Sequence, residues 1–337
     1  MRALILNAPG EATIETVPEP PRIPDQVLLQ VRRVGLCGTD LNSYRGKNPL
    51  ITFPRILGHE IAATVVEGSS SRPDLAERSC VAVMPYKSCG TCPACRQNRP
   101  NTCQFNQTMG VQRDGALTEF IQAPPEKLFA ADLSLSELSL VEPLSVGFHA
   151  VQRGRVTAED TIAVIGSGGV GLGAVAGAAF RGARVIAVDV DARKLEIACK
   201  AGAAEAINTS TDPLAERLAD LTKNSGPDVI IEAVGRPDTF QAAVEHVAFA
   251  GRVVYIGYAK EPVAYETRLF VQKELDILGS RNALPENFRE VIRMLEQKRF
   301  PAREYVTATV PLEDAPEMLR RWSDHPAEFS KIMVRID

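Results

Sequence analysis

The stretch TIAVIGSGGVGLGAVAGAAF, Thr161 to Phe180, constrains this chain more than any other. It carries no charge over about the length of a membrane-spanning helix, but the order of its residues argues against a span. β-Branched residues come first, glycines crowd the middle and alanines follow. That order describes a buried strand, a tight turn and a closely packed helix. The turn holds Gly166-Ser167-Gly168-Gly169-Val170-Gly171, a G-x-G-x-x-G pattern that says little alone because glycine-rich turns are common. Here a strand precedes it, a helix opens on it, and a second strand, ARVIAVDV, carries Asp189. Dinucleotide binding requires that context. Gly166 permits the turn, Gly168 lets backbone approach a pyrophosphate, and Gly171 lets the helix pack on the strand. Gly169 and Val170 complete the helix opening, where unpaired N–H groups and a positive dipole end suit phosphate. Asp189 is placed to accept from adenosine ribose hydroxyls and to repel a 2′-phosphate, which predicts NAD rather than NADP. Arg193 and Lys194 are the downstream residues that could reverse that choice. The bland alternative is a strand–turn–helix with no ligand.

A chain of 337 residues predicts two domains. Up to about residue 148 the pattern is short strands, such as VLLQVRRVGLCG and CVAVMPY, between Pro/Gly-rich turns. From about residue 160 strands alternate with helical segments such as ARKLEIACKAG, which predicts a parallel sheet covered on both faces. The C-terminal part returns to helices and a final strand, KIMVRID. A formal net charge of -4 without a long basic run excludes nucleic acid and anionic membrane as natural partners. The first residues lack the apolar core of a signal peptide, so a cytoplasmic protein is expected.

Four of the seven cysteines, Cys89, Cys92, Cys95 and Cys103, fall in KSCGTCPACRQNRPNTC with the spacing C-x2-C-x2-C-x7-C. Their neighbours are those of an exposed loop. Disulfides are disfavoured in a reducing compartment, and a redox pair needs only two thiols. Iron–sulfur runs use a different last interval. A structural zinc takes four thiolates in a closed tetrahedron, and this loop can wrap one. A second set is dispersed: Cys37 in LCGTD, His59 and Glu60 in ILGHE, and Glu142 in VEPLSVGFHA. Singly, each has an ordinary reading as a small hydrophobe, a core histidine or a helix cap. Together, in a β-rich domain beside a nucleotide domain, they fit an open zinc site.

LCGTD, GHE, the four-cysteine lobe, EPLSVGFHA and the glycine fingerprint with Asp189 occur in the order found in zinc-dependent medium-chain dehydrogenases/reductases. The chain resembles that family over essentially its full length. EPLSVG resembles the polyol dehydrogenase branch, and YRGKNPLITFPRILGHE and KELDILGSR are similar to bacterial L-gulonate or L-galactonate 5-dehydrogenases. The resemblance implies an α/β protein with a GroES-like catalytic domain over 1–148 and 284–337 and a Rossmann NAD-binding domain over 149–283. It implies about two zinc ions per chain, one catalytic and one structural, and a homodimer or homotetramer. Cys37 and His59 would be catalytic zinc ligands, with Glu60 and Glu142 competing for the remaining protein position. Zinc would act as Lewis acid on a substrate hydroxyl whose carbon gives hydride to NAD. Thr39 would relay the alcohol proton. Many relatives carry histidine where this chain has Asn42, so the outlet would be ordered water or Tyr44. Arg281, Arg45 and Tyr44 are the substrate candidates. The expected substrate is a small polyol or sugar acid. L-Threonine and simple alcohols are the alternatives, and joint retention of Cys37, Thr39, His59, Glu60 and Glu142 argues against a catalytically silent protein.

Overall fold

The computed structural model describes residues 1–67 and 72–337. The chain forms two compact units: Met1–Glu142 with Leu284–Ile292 and Ala302–Asp337, and Pro143–Ala283 with Arg293–Pro301.

The first unit is built on a seven-stranded sheet whose main path runs Leu128–Ala130, Cys80–Val83, Glu60–Val65, Val27–Leu36, Lys331–Arg335, Val306–Pro311, with Phe120–Ala123 also pairing Val27–Leu36. In Val27–Leu36 the residues Val27, Leu29 and Val31 are buried in alternation, as one face of a pleated strand requires. A register shift between Val31 and Arg33 then changes the phase, leaving Arg32 and Arg33 half-buried and burying Val34, Gly35 and Leu36. Leu29, Val31, Val34, Ile61, Val81, Val83, Ile332 and Val334 share one core. Glu60 stands opposite Gly35, and Ile332 stands opposite Leu36. The pairing therefore brings Cys37, Glu60 and Lys331 to one end of the sheet.

The second unit holds six parallel strands in the order Glu205–Asn208, Arg184–Asp189, Thr161–Ile165, Val229–Glu232, Arg252–Tyr255, Asp276–Gly279. The order reverses between Thr161–Ile165 and Val229–Glu232, and the crevice beyond the carboxyl ends of strands at such a point receives ligands. The central strand Val229–Glu232 is buried at every residue, as parallel strands covered on both faces must be. The uncharged stretch from Thr161 resolves into a strand, a turn and the twelve-residue helix Gly169–Phe180. Among the described residues no helix is long and apolar enough to cross a membrane. EPLSVG, which reads as a turn in the sequence, lies instead within the helix Val141–Arg153. Pro143 sits in its first turn, where a missing N–H costs nothing.

Candidate active site

Cys37 leaves the strand Val27–Leu36 and caps the helix Gly38–Tyr44 in extended conformation. Its N–H donates to Asp40 Oδ2 at 2.8 Å, and its carbonyl accepts from the N–H groups of Asp40 and Leu41 at 2.9 and 3.2 Å. Its backbone is therefore fixed before any ligand arrives. Glu60 opens the neighbouring strand and His59 immediately precedes it, 0% and 5% exposed. The Cys37 thiol, a His59 ring nitrogen and a Glu60 carboxylate oxygen all lie within 4.8 Å of one another. Asp40 Oδ1 is 3.8 Å from His59 Nδ1, and neither atom has a hydrogen-bond partner among the described residues. A histidine that gives one nitrogen to a metal commonly turns the other towards a carboxylate. The orphaned Nδ1 facing a buried carboxylate, together with the thiolate, imidazole and carboxylate donors, fits zinc. Burial opposes charge on the His59 ring, yet Asp40 and the Cys37 thiol raise its pKa well above the ordinary value. Cations are what this cluster attracts.

The two glutamates stand in different situations. Glu60 Oε1 and Oε2 each accept from Lys331 Nζ at 2.7 Å, and the same ammonium reaches the Leu36 carbonyl at 3.2 Å. Burial alone would depress Lys331, but Glu60 holds it protonated, with its pKa above the ordinary value. Gly35 makes the room: a β-carbon there would lie 2.0 Å from Glu60 Oε2 and 3.1 Å from Glu60 Cβ. Glu142 lies outside the close group and accepts the buried Tyr86 hydroxyl instead. Burial pushes its carboxyl up to about 7, opposed by His59. Glu60 is thus an ion-paired carboxylate, and Glu142 is a carboxyl that gives up its proton near neutrality.

Thr39 is half-buried, and no described residue pairs with its hydroxyl; its carbonyl accepts from Ser43 Oγ at 2.9 Å. Tyr44 is buried in the core of the first unit, with Glu317, Arg320 and Asp324 of the helix Ala315–Asp324 as its charged neighbours. The Arg45 guanidinium donates to Ser323 at the end of the same helix, through Nε to Oγ at 3.1 Å and through Nη2 to the carbonyl. Arg281 lies in the second unit, just beyond the strand Asp276–Gly279.

The four-cysteine loop is gathered between the paired strands Tyr86–Lys87 and Gln107–Thr108. Its sulfur–sulfur distances are 3.5 Å for Cys92–Cys95, 3.6 Å for Cys89–Cys103 and 3.8 Å for Cys92–Cys103. A tetrahedron with zinc–sulfur bonds of about 2.3 Å has edges of about 3.8 Å, so the loop fits a closed zinc site. Backbone N–H groups of Cys92, Cys89 and Phe105 point at sulfurs at 3.3–3.4 Å, an arrangement that favours thiolate. Hydrogen bonds from the backbone at Thr91 and Cys92 pull Cys89 down to about 6.

In the second unit Gly166 has φ +97°, and a β-carbon on Gly171 would lie 1.8 Å from the Gly166 carbonyl. A β-carbon on Gly168, the N-cap of the helix Gly169–Phe180, would meet nothing within 4 Å. That is the open side a phosphate would approach. Asp189 ends its strand with Oδ2 accepting from Ser167 N–H at 2.7 Å and Oδ1 accepting from Val190 and Asp191 N–H at 2.8 and 3.0 Å. The carboxylate is therefore held over the glycine turn. Arg193 Nη2 is drawn to Asp191 at 3.5 Å. At the end of the neighbouring strand, Glu232 is fully buried; its Oε1 accepts from Val234 N–H, Gly235 N–H and Thr239 Oγ1 at 2.8, 2.8 and 2.7 Å, while Oε2 has no partner among the described residues.

Sequence reasoning missed Asp40, Tyr86, Lys331 and Glu232. Asp40 lies inside LCGTD and could have been suspected from its place beside Cys37. Lys331 offered only a charge at the head of an apolar strand.

A mixed, largely antiparallel sheet with a Cys–His–carboxylate cluster, joined in one chain to a doubly wound nucleotide-binding sheet, defines a zinc-type alcohol dehydrogenase. Residues 23–132 match the alcohol dehydrogenase GroES-like domain and residues 169–297 match the zinc-binding dehydrogenase family. The chain is 34% identical to the sorbitol dehydrogenase of Bacillus subtilis, over 99% of this chain and 97% of that one. It is 30% identical to the L-galactonate-5-dehydrogenase of Escherichia coli, over 95% of each. Two solved structures superpose with a TM-score of 0.90: an Escherichia coli alcohol dehydrogenase complexed with NADH, at 28% identity and 99% coverage of each chain, and a Sinorhizobium meliloti zinc-binding dehydrogenase bound to NADP, at 29% identity, 99% of this chain and 98% of that one. The chain belongs to the zinc-dependent medium-chain dehydrogenase/reductase family and is an oxidoreductase acting on CH–OH groups with a nicotinamide cofactor.

Proposed function

We propose that this chain transfers a hydride from a secondary hydroxyl of a polyol or sugar acid to NAD. The gathering of Cys37, His59 and Glu60 within 4.8 Å carries the reading. When bound there, a zinc ion would supply Lewis acidity that lowers the pKa of the substrate hydroxyl. Cys37 and His59 hold it with one of Glu60 and Glu142. Asp40 orients His59, and Lys331 compensates Glu60. Thr39 takes the alcohol proton and passes it on, since its hydroxyl donates and accepts without holding charge. Asn42 cannot titrate and Tyr44 is packed in the core, so the outlet is ordered water. In the second unit Gly166, Gly168, Gly169, Val170 and Gly171 present backbone to the pyrophosphate, and Asp189 receives the ribose hydroxyls. Cys89, Cys92, Cys95 and Cys103 hold a second, structural zinc.

The relatives that act on L-galactonate and sorbitol support the substrate class. Arg45 is engaged with the C-terminal helix, which weakens it as a substrate contact, and Arg281 is carried forward as a candidate on the resemblance alone. A panel of hexonates, hexitols, L-threonine and simple alcohols, offered with NAD and NADP and followed by absorbance of the reduced cofactor, tests the reading. A hexonate or hexitol with NAD should give the highest kcat/KM, and Asp189→Ala should weaken NAD more than NADP. Preference for threonine or a simple alcohol would overturn the substrate class. Equal use of both cofactors by the unaltered protein would overturn the role of Asp189.

A further inference from the structure

Arg113 and Lys127 take no part in the chemistry above, yet both side chains converge on Met84–Pro85. Arg113 Nη2 donates to the Pro85 carbonyl at 3.2 Å, which already accepts Met109 N–H at 3.1 Å. Arg113 Nε is buried without a partner among the described residues. Lys127 Nζ meets only the Met84 thioether among the described residues, at 3.7 Å. Among the described residues no carboxylate forms an ion pair with either. A desolvated charge is expensive unless paired, and a guanidinium cannot shed its proton to escape. Burial depresses the pKa of both groups; for Lys127 the charge of Glu126, next to it in the chain, partly offsets this, and Arg113 depresses it further. If Arg113 served only to tie its segment to Pro85, one bond from a group with five donors would be poor use of it. Lys127 would add nothing to such a tie.

The position is not arbitrary. Tyr86, the next residue after Pro85, donates its hydroxyl to Glu142. Gly110 and Gly115 flank Arg113 and press on the backbone that delivers His59: a β-carbon at Gly110 would lie 2.7 Å from Gly58 N, and one at Gly115 would lie 2.3 Å from the Leu57 carbonyl. Arg113 thus sits against the segment that carries Tyr86, the hydrogen-bond partner of Glu142, and its flanking glycines lie against the backbone leading to His59.

We propose that Arg113 and Lys127 form an anion subsite that takes the carboxylate or phosphate of an acidic sugar derivative, Arg113 through its planar fork and Lys127 as a point charge. This rests on the dehydrogenase reading above and narrows its substrates from polyols in general to those bearing an anionic group.

The test uses zinc-replete enzyme with NAD and three substrates: a hexonate, a hexitol phosphate and the uncharged hexitol. Arg113→Met should raise KM for the anionic substrate about 10- to 100-fold, the loss of a charge-assisted hydrogen bond, with little change in kcat. Lys127→Met should do the same more weakly, and Arg113→Lys should recover part of the loss. The uncharged hexitol should lose no more than about threefold. Whichever of hexonate and hexitol phosphate shows the selective loss identifies the anion. Equal losses on charged and uncharged substrates, or no loss on any, overturn the subsite. If the unaltered enzyme oxidises none of the three, the polyol and sugar-acid reading fails, and a second measurement still decides the subsite. Inorganic phosphate or tartrate should raise the Tm of the unaltered protein and leave that of Arg113→Met/Lys127→Met unmoved. No such shift in the unaltered protein would also overturn it.

Discussion

Lys331→Met is the most exacting perturbation of the metal-site unit. Methionine keeps most of the stem volume and removes the ammonium. Glu60 is 0% exposed and takes both of its hydrogen bonds, at 2.7 Å each, from that one group. Among the described residues nothing else pairs with the carboxylate. Breaking a buried pair by removing one partner costs about 3–5 kcal/mol, and the double contact places this pair towards the upper end. Replacing both charges should cost far less, so Glu60→Gln/Lys331→Met should recover more than half of the loss. Urea denaturation of protein stripped of the catalytic-site zinc, so that no ion supplies Glu60 a countercharge, followed by tryptophan fluorescence, measures both. The single tryptophan, Trp322, packs against the core of the same unit and reports on it directly. A midpoint shift at unchanged slope is the expected form of the result. A loss below about 1 kcal/mol, or a double variant no more stable than Lys331→Met alone, would refute the reasoning, because either outcome means that Glu60 finds its countercharge elsewhere.

Two further outcomes are expected. Elemental analysis should find about two zinc ions per chain, and Cys95→Ser should lose about one of them together with stability; undiminished zinc in that variant would remove the four-cysteine site. Burial raises the carboxyl of Glu232 above its ordinary 4.5, so in the window above that value the folded chain keeps a proton that the unfolded chain releases. Stability from this group is fully present below 4.5 and is lost as pH rises through the folded value. The stability of the unaltered protein minus that of Glu232→Gln should therefore fall with rising pH from about 4.5 upwards, and a difference that stays level or grows would contradict it.

What could be read from the sequence tracks the distance over which each element is assembled. The glycine turn, its helix and Asp189 lie within one βαβ unit, so local order sufficed to place them. The four-cysteine loop is similarly contiguous, and its spacing limited the chemistry before any fold was known. Cys37, His59 and Glu60 could be read only as a dispersed set of suitable donors that resemblance then singled out, because antiparallel pairing rather than spacing brings Cys37 to His59. Lys331 was beyond reach for the same reason: its role depends on the final strand pairing Val27–Leu36, so that Ile332 faces Leu36. Arg45 shows the opposite hazard. Nearness in sequence to Cys37 suggested a substrate contact, but the helix Gly38–Tyr44 carries the chain away from the cysteine, and the guanidinium ends on Ser323.

Gly35 gives the metal site a dependence that chemistry-based searches overlook. It has no side chain to donate or ligate and occupies an ordinary place in a long strand, yet the Glu60 carboxylate fills the volume its missing side chain leaves free. A methyl group there would push the carboxylate out of its alignment with Lys331 and alter the charge it presents to an ion held by Cys37 and His59. Anyone retuning the metal preference of this scaffold should therefore treat position 35 as an electrostatic control set by size alone, where one carbon atom changes the field at the ion.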